Sequence, residues 1–150
     1  MSESNSIDPS TSPTQMAAKA LRILLVDADP EYLAANRQRL ELDGHEVHTA
    51  TDGASALELA AGWAPDLLVL AMVLPRIDGL AVLETLRTQE RTQALPVIVL
   101  SSNTERRLVR RSRELRAVDY LSKQSKSTDP AMLSTAVSAW RRSRRVPPAV

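Results

Sequence analysis

The chain has no cysteine and no phenylalanine, four glycines, and aromatic side chains at only 3% of its 150 positions. Without cysteine it has no disulfide, no thiolate metal site and no sulfur nucleophile. No apolar run approaches the roughly 18 residues that span a bilayer, and the N-terminus lacks a basic segment followed by an apolar one. A soluble, cytoplasmic protein with no membrane partner is therefore expected. No helix-turn-helix or other nucleic-acid reader motif stands out. Net charge is also small, +1, but it hides a division. Residues 1–100 carry 7 Lys and Arg against 14 Asp and Glu, or −7; residues 101–150 carry 12 against 4, or +8. That asymmetry predicts a basic surface built by the C-terminal third.

The length suits one domain with tails. Residues 1–19 are rich in Ser, Thr and Pro and poor in large apolar side chains, too little to offset the entropy of ordering, so a disordered tail is expected there. Residues 20–145 form the expected domain, and 146–150, with Pro147-Pro148, a short tail. Leu67 to Leu70, a continuous apolar run between Pro65 and Pro75, reads as a strand buried on both faces, as at the centre of a parallel sheet. A first helix runs from about Pro30 to Asp43, with Asp29 as N-cap, Pro30 at its first position and Gly44 as its stop. Glu46 to Ala50 form a short strand, and a second helix opens at Asp52 and reaches Trp63. The third helix, Gly79 to Thr88, is capped by Asp78. The fourth runs from Thr104 to Arg116 with Leu108, Ser112 and Leu115 facing inward. The fifth starts at Asp129-Pro130 and buries Leu133, Ala136, Val137 and Trp140. His45 and His48 have no Cys or His support for a metal and are expected to face solvent.

Four separated motifs give the chain a resemblance. Ile23-Leu-Leu-Val-Asp-Ala-Asp-Pro30, Pro65 to Gly79, Pro96-Val-Ile-Val-Leu-Ser-Ser102 and Tyr120-Leu-Ser-Lys123 stand in one order, with Ser101 30 positions after Ala71 and Lys123 22 after Ser101. In order and spacing this resembles the response-regulator receiver domain of two-component signalling. The resemblance implies an α/β, flavodoxin-like, doubly wound (βα)5 fold with a parallel sheet in the order 2-1-3-4-5. It also implies that Asp27, Ala71 and Ser101 converge at the carboxyl end of that sheet.

At that place the chain departs from the family. The family's phosphoacceptor aspartate falls on Ala71, and the second of its two adjacent metal-binding aspartates falls on Ala28. Arg116 stands where a glycine is usual, and Gln124 where a proline usually follows the lysine. Asp27, Ser101 and Lys123 remain as a vestigial pocket, with Tyr120 at the family's aromatic switch position. Asp27 and Lys123 sum to zero charge, so a direct ion pair is expected, with Mg²⁺ binding lost or very weak and no cofactor. Phosphoryl transfer needs an aligned oxygen nucleophile and a cation, and Ala71 supplies neither oxygen nor ligand. The chain is accordingly expected not to be an enzyme and to have no catalytic residue. The leading expectation is a pseudo-receiver, a phosphorylation-independent module of signalling and protein interaction. A response regulator phosphorylated at a non-standard residue, Asp29 or Asp78, is an alternative, although both aspartates suit helix caps; Ser101 as nucleophile has no evident base beside it.

The partner expectation rests on helical geometry. At about 100° per residue, with Leu108 inward, Arg106, Arg110 and Arg113 fall together on the exposed side, flanked by Arg107, Arg111 and Arg116. Six arginines without a lysine favour planar, bidentate recognition of carboxylate or phosphate over mere solubility. A protein with an acidic surface is the expected partner, with self-association through the fourth helix, fifth strand and fifth helix as a variant. Nucleic-acid binding by the arginine-rich fourth and fifth helices is the other class.

Overall fold

The computed structural model describes residues 20–102, 105–123 and 130–145. The expected tails at 1–19 and 146–150, and Thr104, Gln124 and Asp129, lie outside the described residues. Strands and helices alternate: β1 Arg22–Val26, α1 Pro30–Leu42, β2 Glu46–Ala50, α2 Gly53–Gly62, β3 Leu67–Ala71, α3 Gly79–Thr88, β4 Val97–Ser101, α4 Arg106–Glu114, β5 Asp119–Ser122 and α5 Ala131–Arg145. All pairings are parallel, in the order β2-β1-β3-β4-β5, so the doubly wound, flavodoxin-like sheet expected from the sequence is what forms.

The sheet orders itself by burial. β3 and β4 are buried at every residue, because helices cover both faces of a central parallel strand. Leu24, Val26, Leu68, Leu70, Val97 and Val99 point to one side, against Val82, Leu83 and Leu86 of α3. Ile23, Leu25, Leu67, Val69 and Ile98 point to the other, against Leu33 and Leu40 of α1 and Leu133 and Val137 of α5. This alternation is the two-residue period of a strand. Ala136 and Trp140 are only half-buried at the margin of α5.

Three strand-to-helix turns at the carboxyl end of the sheet use one device, an aspartate that accepts a backbone N–H of the first helical turn. Asp29 accepts from Glu31 at 3.0 Å, Asp52 from Ser55 at 2.8 Å and Asp78 from Ala81 at 2.9 Å. Gly79 is required by close approach, since a Cβ there would overlap the Ala71 carbonyl and Met72. The Gly79 N–H also donates to Met72 at 2.8 Å, so the loop after β3 is cinched against the strand end.

Two expectations are corrected. His45 does not face solvent: it is buried, and its Nδ1 accepts the Leu21 N–H at 3.1 Å, satisfying a backbone donor at the entry to β1. His48 is exposed as expected, and its ring stacks on Trp63 at 3.9 Å. The fourth helix ends at Glu114, short of Arg116, because Arg116 turns into the left-handed region with φ 65. A second arginine holds this corner. Arg87, in the last turn of α3, donates to the carbonyls of Leu115 at 2.7 Å, Leu95 at 2.8 Å and Gln93 at 3.1 Å. Among the described residues no helix is long and apolar enough to cross a membrane.

Candidate functional site

Where β1, β3 and β4 end, their last side chains face a shallow cavity of about 60 Å³ lined by Asp27, Ala71, Met72, Val73, Leu100, Ser101, Ser102 and Lys123. Parallel pairing brings Asp27, Ala71 and Ser101 together, since β1, β3 and β4 are adjacent and end at the same level. Lys123 joins them from the end of β5, where its N–H donates to the Ser101 carbonyl at 2.8 Å.

Asp27 is 4% exposed, and both of its carboxylate oxygens are engaged. Oδ2 accepts from Lys123 Nζ at 2.9 Å, and Oδ1 accepts the Asp29 N–H at 2.9 Å. The Lys123 ammonium also lies 4.1 Å from the centre of the Tyr32 ring, a cation–π contact inside a partly desolvated site. Burial first, and the Asp27 charge second, push the Tyr32 phenol up to about 12. Tyr32 was not among the residues singled out from sequence. Its signal was position alone: three residues past the Asp29 cap, it points back from the first turn of α1 toward the end of β1.

The two alanines sit differently. Ala71 is buried and lines the cavity, whereas Ala28, next in sequence to Asp27, is exposed. Neither offers an oxygen ligand from its side chain. Val73 beside them is 73% exposed, so the mouth of the cavity is apolar on this side. Among the described residues no group of three or more His, Cys, Asp or Glu is placed to hold a metal ion. Asp29 and Asp78 are both committed to helix caps. A cavity of about 600 Å³ lies apart from this site, between β2 and α2, lined by His48, Ser55, Glu58 and Trp63 among others.

Tyr120 is half-buried on β5 and packs against the α2–α3–α4 side of the core. It lines a cavity of about 310 Å³ with Val109, Ser112 and Arg113 of α4. The arginines of α4 are exposed, as their spacing predicts, but they are not equivalent. Arg111 bridges Glu84 at 3.1 Å and Glu114 at 3.2 Å, and these carboxylates hold its guanidinium above its ordinary range. Among the described residues Arg106, Arg107, Arg110 and Arg113 have no ion pair or hydrogen-bond partner for their side chains.

With this geometry, residues 23–136 match the model of the response regulator receiver domain. The chain belongs to that family. It is 34% identical over 128 residues, 85% of its length and 52% of the relative's, to the DNA-binding dual master transcriptional regulator RpaA of Synechocystis. It is 36% identical over 102 residues, 68% of its length and 42% of the relative's, to the alkaline phosphatase synthesis transcriptional regulatory protein PhoP of Bacillus subtilis. The chain thus spans about half the length of the curated relatives it matches. Among solved structures, the receiver domain of a signal transduction histidine kinase from Syntrophus aciditrophicus superposes with a TM-score of 0.72 at 25% identity, covering 87% of this chain and 97% of that one.

Proposed function

We propose that this receiver domain is a pseudo-receiver, a module that acts in two-component signalling through protein contacts and without being phosphorylated itself. One observation carries the reading: the sole carboxylate of the pocket, Asp27, is closed by Lys123 on one oxygen and by the Asp29 N–H on the other, while the acceptor and second-ligand positions are Ala71 and Ala28.

Such a donor set does not suit Mg²⁺, which seeks several oxygen ligands in near-octahedral geometry and gives up its water reluctantly. One carboxylate already neutralised by an ammonium offers little attraction. No phosphoryl step is therefore routed through the metal or through Ser101. What Asp27, Lys123 and Tyr32 do in this reading is tie the end of β5 to the end of β1 across the carboxyl edge of the sheet, so that signalling depends on whether a partner binds and not on a change of state at the pocket.

The partner surface in this reading is the arginine-bearing α4 with Tyr120 on β5, including Arg106, Arg107, Arg110, Arg111 and Arg113, and the partner is a protein with an acidic surface. Among the described residues Arg106, Arg107, Arg110 and Arg113 have no carboxylate partner, which leaves their planar, bidentate donors available to the carboxylates of such a protein. RpaA is named as DNA-binding, which keeps nucleic acid as the competing partner class.

Intact mass decides the central claim. After incubation with a small phosphodonor and Mg²⁺, the expected spectrum shows no added phosphoryl group; a stoichiometric adduct labile to hydroxylamine overturns the reading.

A further inference from the structure

Resting on that reading, the geometry points to a more specific dock: the groove between α3 and α4 receives an acidic peptide segment that carries one apolar anchor side chain. The groove, about 400 Å³, is lined by Leu80 of α3 and by Glu105, Arg107, Leu108, Arg110, Arg111 and Glu114 along α4. Leu80 and Leu108 are half-buried and form an apolar pair of walls, whereas the arginines above them are exposed.

α4 is short of apolar cover. Of its nine residues only Ser112 is fully buried, with its hydroxyl unpartnered, and no side chain caps the helix at Glu105. The helix therefore leaves open space on either side, toward β5 and toward α3. A partner side chain laid between Leu80 and Leu108 removes apolar surface from water that the chain does not cover itself.

Charge then selects the partner. Arg111 is occupied by Glu84 and Glu114, so the cations left for a ligand at this groove are Arg107 and Arg110. They sit on successive turns of one helical face and match carboxylates spaced along an extended or helical peptide. A nucleic-acid backbone fits less well. Its phosphates could meet Arg107 and Arg110, but it offers no apolar side chain to lay between Leu80 and Leu108.

The experiment uses the full chain and two fluorescent glutamate-rich peptides that differ only at the central residue, leucine or serine. Fluorescence anisotropy at low salt is expected to show the leucine peptide binding about tenfold tighter, the ratio expected when one leucine leaves water. Arg107→Glu with Arg110→Glu should weaken both peptides. Leu80→Ser, and separately Leu108→Asn, should abolish the ratio while the serine peptide still binds; circular dichroism confirms that each variant folds. Equal affinity for both peptides, lost in the double arginine variant, overturns the groove and leaves the pseudo-receiver reading standing on a charged face alone. Failure of the leucine peptide to bind also overturns the groove. Random duplex DNA that displaces both peptides near physiological salt overturns the groove and the acidic-protein partner together.

Discussion

Lys123 is held from three sides, by the Asp27 carboxylate, by its own backbone bond to Ser101 and by the Tyr32 ring. Replacing it with alanine leaves a buried carboxylate with one N–H donor, so Lys123→Ala is expected to lower stability by about 3 kcal/mol in urea unfolding. Asp27→Asn combined with Lys123→Met should lose less than Lys123→Ala alone, because no charge stays buried and asparagine can still accept the Asp29 N–H. A larger loss in the double variant contradicts the electrostatic account. His45 gives the pH dependence. Burial, then Arg141, hold its imidazole below the ordinary range, against a smaller opposing pull from Asp43. The folded value thus lies below the unfolded one, so the stability it contributes is complete above about pH 6.5 and fades as pH falls toward the folded value. The physical event is protonation of the Nδ1 that accepts the Leu21 N–H. Urea midpoints should fall on acidification through this window in the parent and fall less in His45→Gln. Nothing in the local pattern announced this histidine: its donor lies 24 positions away, and only the β1–β2 pairing brings the two together.

Elements read well from sequence where local chemistry and burial agree. Asp29, Asp52 and Asp78 each precede a helix and cap it, and the run at β3 has no polar side chain that tolerates an exposed face. The end of α4 was harder to read, because arginine is a good helix former and nothing at 115–116 is a breaker. What stops the helix is tertiary: Arg87 takes the Leu115 carbonyl from α3, and the chain turns left-handed at Arg116 to enter β5. A side chain in that region is strained by about 1 kcal/mol. Arg116→Gly is expected to raise stability by about 0.5 to 1 kcal/mol, provided the bond from Arg116 to the Gln93 carbonyl contributes little at its exposed position. Thermal unfolding checks this; a lower melting temperature would mean that bond outweighs the strain.

At the scale of the whole molecule the backbone positions of the site were legible, and its wiring only in part. The Asp27–Lys123 pair follows from the family resemblance, which puts both residues at one pocket, and from their opposite charges, whereas Tyr32 beneath the lysine needed the packing of α1 against the sheet. Millimolar Mg²⁺ is expected to leave the melting temperature of the parent unchanged, since a ligand stabilises only when its concentration exceeds its Kd. Ala28→Asp with Ala71→Asp should introduce a Mg²⁺-dependent rise and, without metal, a loss from crowded like charges. A Mg²⁺-dependent rise in the parent contradicts the proposed reading of the pocket. The strand order has a further consequence. It sends β2 and α2, with Glu46, Asp52 and Glu58 and no Lys or Arg, to one edge of the sheet, and the arginine-bearing α4 with β5 to the other. Among the described residues the α4 edge is therefore the more basic of the two, despite a net charge of +1 for the chain. The molecule should be retained by a cation-exchange resin at neutral pH, and an anionic partner will turn it so that α4 arrives first, making encounter rates fall steeply as salt is added.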